Sequence, residues 1–180
     1  MIIVFIGPPL SGKDTQTGIL GKELNLPVFS MGALIREGVK NGDSQAIEGH
    51  ENYSLKGLHL PNSLKFHLLK VKLDEHKDGF ILDNYPGTEE DLEMLNNYLS
   101  ENNLKIDKAF LIKISVEEMK NRLGERNRQD DDPKIAMERR EVQDLDREPV
   151  LKFFKEKEIL IEIDGEGTIE AVHEKIKERL

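Results

Sequence analysis

Gly7, Gly12, Lys13 and Thr15 stand in register in the run Gly7-Pro8-Pro9-Leu10-Ser11-Gly12-Lys13-Asp14-Thr15-Gln16. The run directly follows an apolar segment, Ile2–Ile6, and opens a stretch of helical spacing, Lys13–Leu24. A loop between strand and helix turns its backbone N–H groups inward, and the positive end of the helix dipole adds to their field. Such a place suits the β- and γ-phosphates of a nucleotide. Lys13 can reach the β/γ oxygens as a point charge, and a hydroxyl one turn into the helix can ligate Mg²⁺. The chemistry implied is ATP-Mg²⁺ binding for phosphoryl transfer. The competing reading, a glycine-rich turn without a ligand, leaves the Lys and Thr behind the strand unexplained. The strict phosphate-loop pattern places Ser or Thr directly after the Lys; here Asp14 intervenes and Thr15 follows.

A second candidate is Asp83, which ends the apolar run Phe80–Leu82. Open α/β sheets place their ligand contacts at the carboxyl ends of strands, although an Asp there can also simply cap the turn. Cations are concentrated in one stretch, with Lys120, Arg122, Arg126, Arg128, Lys134, Arg139 and Arg140 close together. The whole chain carries a formal net charge of −9. That balance argues against nonspecific nucleic-acid binding, which needs a basic surface, but leaves room for a small anion in a local positive field. With no cysteine, disulfides, Cys-type zinc sites and thiol nucleophiles are excluded.

These residues need a scaffold, and the hydrophobic pattern supplies one. Apolar runs that read as buried parallel strands are Ile2–Ile6, Pro27–Phe29, Phe80–Leu82, Ala109–Ile114 and Ile159–Ile163. Helical stretches alternate with them: Lys13–Leu24, Gly32–Val39, Ser63–Glu75, Glu89–Glu101, Val116–Leu123, Lys134–Glu156 and Ile169–Leu180. Alternation of this kind predicts a doubly wound α/β fold, with helices on both faces of a parallel sheet. Thr88 and Ser115 have capping-box spacing. Asn41–Leu60 reads as a small helical insertion and Arg126–Pro133 as a polar loop, both inside one domain spanning 1–180. No apolar run approaches the roughly 20 residues that cross a membrane, and Met1–Ile6 reads as a strand rather than a signal peptide, so a cytoplasmic location is expected. No long apolar stripe is left over once the sheet and helices are assigned, so a monomer is expected.

The chain resembles the adenylate kinase family of nucleoside monophosphate kinases over nearly its whole length. Gly12-Lys13-Asp14-Thr15-Gln16 is similar to the family's Gly-Lys-Gly-Thr-Gln. Ser30-Met31-Gly32-Ala33-Leu34-Ile35-Arg36 resembles Ser-Thr-Gly-Asp-x-x-Arg, and Gly57-Leu58-His59-Leu60-Pro61 resembles Gly-x-Leu-Val-Pro. Gly79-Phe80-Ile81-Leu82-Asp83-Asn84-Tyr85-Pro86-Gly87-Thr88 resembles Gly-Phe-Leu-Leu-Asp-Gly-Phe-Pro-Arg-Thr.

The resemblance implies a P-loop NTPase fold with three αβα layers and five parallel strands in the order 2-3-1-4-5. It also implies a helical monophosphate-binding insert at about 30–60 and a short lid at about 123–134. Gly7, Pro9, Ser11, Gly12, Lys13, Asp14 and Thr15 would hold ATP, with Gly165 near its base. Thr15 and Asp83 would serve Mg²⁺, and Met31, Arg36, Gly57, His59 and Asn84 the acceptor. In the family one lid arginine stacks on the ATP adenine and others clamp the transferring phosphoryl. This assigns Arg122 to ATP and catalysis, and Arg126, Arg128 and Arg139, with Lys13, to catalysis. The Arg-x-Asp-Asp pattern at Arg128–Asp131 puts Arg139 rather than Arg140 on the family position.

Several places depart from the family. Leu10 and Asp14 replace glycines, Met31 a Thr and His59 a Leu; Gly87 stands where a second phosphate-gripping Arg is expected. Lys56 and His59 are the nearby groups that could compensate, and His59 can equally be a surface or core residue. The Gln that reads adenine has no clean counterpart among Glu89, Glu90 and Asp91. The expected activity is transfer of the ATP γ-phosphoryl to AMP or a related monophosphate. The alternatives are a kinase for another small acceptor and an ATP-binding protein with little catalysis.

Overall fold

The computed structural model describes residues 1–56, 60–125 and 133–180, and of these the side chains other than 56, 125, 133–136, 138 and 139. Five strands form one sheet: β1 (Ile2–Ile6), β2 (Val28–Ser30), β3 (Phe80–Asp83), β4 (Lys108–Lys113) and β5 (Leu160–Asp164). Their order is β2-β3-β1-β4-β5, as expected, and every pairing is parallel. β1 is the central strand and is buried along its whole length, which is why its sequence is continuously apolar rather than alternating.

The period of two along each strand sorts the core into two layers. Ile2, Val4 and Ile6 face one way, with Phe80 and Leu82. They pack on α4 (Asn62–Glu75), α5 (Glu89–Glu101) and α8 (Glu148–Glu156) through Leu69, Leu95 and Phe154. Ile3 and Phe5 face the other way, with Phe110 and Ile112, and meet α1 (Lys13–Leu24) and α9 (Ile169–Lys177) through Leu20, Val172 and Ile176. The result is three layers, αβα.

The remaining helices among the described residues are α2 (Met31–Lys40), α3 (Ser44–Asn52), α6 (Val116–Glu125) and α7 (Pro133–Asp146), with a 3₁₀ turn at Ser54–Lys56. α3 and that turn fall in the stretch expected to be helical between Asn41 and Leu60. Both anticipated caps form: Thr88 Oγ1 accepts from the Asp91 N–H at 3.2 Å, and Ser115 Oγ from the Glu118 N–H at 3.1 Å. Each such cap contributes about 1 kcal/mol.

One helix differs from the expectation. The stretch read as a single helix over Lys134–Glu156 is two, α7 and α8, with Arg147 between them. Pro149 is the physical cause. It has no N–H to donate to the carbonyl four residues back, and its ring crowds that carbonyl, so a new helix starts with the proline in its first turn.

Register brings the chemistry-bearing residues to one edge of the sheet. Phe5 pairs with Asp83 and Asp83 with Ser30, so the loop after β1, the carboxylate ending β3 and the start of α2 lie side by side. Ser115 and Gly165 follow β4 and β5 at the same edge. Among the described residues no helix is long and apolar enough to cross a membrane.

Candidate active site

The loop between β1 and α1 turns on three local features. A Cβ at Gly7 would come within 2.9 Å of the Ile112 carbonyl oxygen, so only glycine lets the chain pass this close to β4. Gly12 takes φ 81°, a left-handed conformation natural to glycine. Leu10 takes φ 64°, a conformation that costs a branched side chain of this size about 1–2 kcal/mol. α2, α3, α5 and α9 each receive a side-chain cap, from Ser30, Asp43, Thr88 and Thr168. α1 receives none: its N-cap is Gly12. The first N–H groups of α1 thus have no side chain competing with an anion. The Ser11 hydroxyl, buried beneath the loop, has no hydrogen-bond partner among the described residues.

Lys13 lies between two carboxylates. Its Nζ is 2.9 Å from Asp14 Oδ1 and 3.9 Å from Asp83 Oδ1. Asp14 is exposed, whereas Asp83 is buried, with its Oδ1 lacking a hydrogen-bond partner among the described residues. Burial pushes the Asp83 carboxyl up to about 6; Lys13 pulls it down, and the neighbouring Asp14 carboxylate pushes it up again. Thr15 is exposed in the first turn of α1. The donor set fits a hard cation held by oxygen ligands and water.

Arg122 joins three elements. Its Nε donates to Glu118 Oε1 at 2.6 Å, Nη1 to the Leu10 carbonyl at 3.1 Å and Nη2 to the Gly165 carbonyl at 2.8 Å. The guanidinium thereby ties the phosphate loop to the turn after β5. Arg139 lies in α7, with its side chain outside the described ones; Arg126 and Arg128 lie outside the described residues. Arg140 is engaged elsewhere, donating to the Ile114 carbonyl at 3.0 Å and so fastening α7 beside β4.

Beside Asp83 a pocket of about 450 Å³ opens between α2, α4, the turn after β3 and the end of α7. Met31, Gly32 and Asn84 line it, and Arg36 folds its guanidinium over Gly32, with Nη1 3.2 Å from where a Cβ would sit. Asn84 takes φ 55°, which asparagine tolerates better than most residues. Gly57 and His59 lie outside the described residues, as does the side chain of Lys56.

The pocket also contains groups that sequence reasoning missed. Asp91 is almost fully buried, pairs with Lys65 Nζ at 2.7 Å and accepts from the Gly87 N–H at 3.1 Å, while its Oδ1 has no partner among the described residues. Glu89 and Glu90 are exposed, so of the three acids considered at the turn it is Asp91 that lines the pocket. Lys65 reads as one polar position on α4, and its partner is 26 residues away; no local signal pairs them. Gln143, Asp146 and Arg147, from the end of α7 and the residue after it, line the pocket as well. The signal that could have marked Arg147 is Pro149, which ends α7 just before it.

A family model described as "Adenylate kinase" matches residues 5–159. The chain is 32% identical to an adenylate kinase of Methanocella arvoryzae, with 98% of this chain and 97% of that protein covered. It is 30% identical to one from Pyrococcus abyssi, covering 98% and 94%, and 33% identical to one from Mycobacterium sp. (strain MCS), covering 96% and 94%.

Proposed function

From the premise that the chain belongs to the adenylate kinase family and is an ATP-dependent nucleoside monophosphate kinase, we propose that it transfers the ATP γ-phosphoryl reversibly to AMP or a related monophosphate. ATP would lie with its phosphates in the Gly7–Thr15 loop and its base toward Gly165. The acceptor would occupy the pocket beside Asp83, bordered on one side by an insert spanning about 30–60, with a short lid at about 123–134. The observation that carries this reading is the position of Lys13 and Asp83. They meet at the sheet edge between the uncapped start of α1 and the pocket beside Asp83.

In the transfer, an oxygen of the acceptor phosphate bonds to the γ-phosphorus as the bond to the β–γ bridging oxygen breaks, leaving ADP. The reaction needs no covalent enzyme intermediate, so positioning and charge neutralisation supply the catalysis. Lys13 exchanges its carboxylate contacts for phosphate oxygens, and the loop N–H groups hold the triphosphate in line. Arg36 grips the acceptor phosphate, and Arg126, Arg128 and Arg139 close over the moving group. Thr15 and Asp83 are the residues that would hold Mg²⁺, Asp83 through water. Bound there, the cation would supply charge neutralisation at the phosphate oxygens. Closing the lid excludes water, which would otherwise accept the phosphoryl. We read the protein as a cytoplasmic monomer acting on small molecules.

The test is an ADP-release assay with ATP-Mg²⁺ against AMP, GMP, CMP, UMP and dTMP, with a no-acceptor control. Release is expected to require an acceptor and to be greatest with AMP. Lys13→Met should lower it roughly 10²–10³-fold with the fold intact by circular dichroism. Release with none of the monophosphates, in a protein that still binds ATP, would overturn the reading.

A further inference from the structure

The turn after β3 brings Gly87 to the acceptor pocket, where a glycine can offer a phosphate only a backbone N–H, and that N–H already donates to Asp91. A cation reaches the same pocket from another element. Arg147, at the junction of α7 and α8, is 4% exposed and lines the pocket together with Gln143. Its Nε donates to the Gln143 carbonyl at 2.7 Å and its Nη2 to Gln143 Oε1 at 3.0 Å. The side chain is therefore folded back along α7, the direction helical side chains take.

Two carboxylates act on Arg147, Asp144 and, more weakly, Asp146, which also lines the pocket; the one in ion-pair contact is a poor match for so buried a charge. Arg147 Nη1 is 3.4 Å from Asp144 Oδ1, and the Asp144 side chain is half exposed. A guanidinium has five N–H donors. Those contacts leave one on each terminal nitrogen without a partner among the described residues. Buried charges are ordinarily paired and hydrogen-bonded, and a fork of two adjacent N–H groups matches two oxygens of a phosphate.

We propose that Arg147 grips the acceptor's phosphate, replacing from the α7–α8 junction the arginine that position 87 lacks. This rests on the monophosphate reading of the pocket given above. Arg147 as a brace between two helices makes a different prediction, because a brace has no reason to act on one substrate alone.

The experiment compares Arg147→Met and Arg147→Lys, each with and without Gly87→Arg, by KM for AMP, KM for ATP and Tm. A Cβ at position 87 would meet its nearest atoms at 3.7 and 3.8 Å, ordinary contact distances, so the arginine can be introduced there. Arg147→Met should raise the acceptor KM roughly 30-fold or more, with the ATP KM within about twofold. Arg147→Lys, which keeps the charge without the fork, should fall between. Adding Gly87→Arg should recover about tenfold or more. If Arg147→Met fails to fold, Arg147→Lys and its rescue carry the test. Unchanged acceptor KM, both constants moving together, or no rescue would overturn the assignment. Wild-type protein without acceptor-dependent turnover would instead reject the pocket reading itself, and this proposal with it.

Discussion

On the proposed donor side of the site, phosphate would be met by backbone N–H groups of one continuous loop and by Lys13, which follows it directly. On the acceptor side the groups are side chains from separate elements: Met31 from α2, Lys65 from α4, Asp91 from α5 and Arg147 from the α7–α8 junction. A backbone cradle depends on local conformation, so its sequence is confined to glycines and a few fixed positions. A pocket assembled from side chains depends on which groups meet in space, so a cation deleted from one element can return from another. Gly87 and Arg147 are read here as such an exchange.

The comparison breaks most visibly at Lys65. Lys65→Met would leave the Asp91 carboxylate buried, with the Gly87 N–H as its remaining side-chain contact. Loss of one partner of a buried pair costs about 3–5 kcal/mol. Urea denaturation should show a fall of that size, and Lys65→Met/Asp91→Leu should recover most of it, since an apolar pair removes the stranded charge. The exposed pair Lys70–Asp74 is the control, because solvent screens it and its loss should cost far less. Equal costs at the two pairs would mean that water reaches Asp91.

Asp83 sharpens the donor side. Its carboxyl is raised from 3.8 to about 6 by burial, so between those values the unfolded chain gives up a proton that the folded chain keeps. Stability from this group is therefore present below about pH 4 and is lost as pH rises toward 6. Asp83→Asn removes the penalty. In Mg²⁺-free buffer it should stabilise the protein at pH 8 by up to ~3 kcal/mol, with the gain vanishing near pH 4. The same variant should lose roughly 10²-fold or more in kcat. Thermal unfolding across that pH range checks it; a gain equal at both pH values would place the carboxyl at its ordinary value.

How much of this was legible in the chain follows from the same division. The bounds of β1, α1 and α5 fall where the apolar period and caps put them, and Lys13 and Asp83 are each marked by adjacent residues, a glycine-rich run and an apolar strand end. Lys65 and Asp91 are distant in sequence and acquire their character only from burial. Arg147 sits in the charged run Asp144–Glu148, which reads as a solvated face. What hides it is tertiary: the proline-induced break turns α8 onto the sheet and carries Arg147 inward.

Leu10 offers the smallest effect and the most direct measure of strain in the cradle. Its left-handed φ costs about 1–2 kcal/mol relative to a permissive residue. Glycine would remove that strain but give back about 0.5–1 kcal/mol through the freedom it adds to the unfolded chain. Leu10→Gly should therefore gain about 0.5–1 kcal/mol net, a rise of roughly 2 °C in Tm for a chain of this size. The Leu10 carbonyl accepts from Arg122 in either case, because that contact is made by backbone. A fall in Tm would mean that the half-buried leucine side chain contributes more by packing than its backbone loses. The strain would then be offset within the loop itself rather than by the rest of the fold.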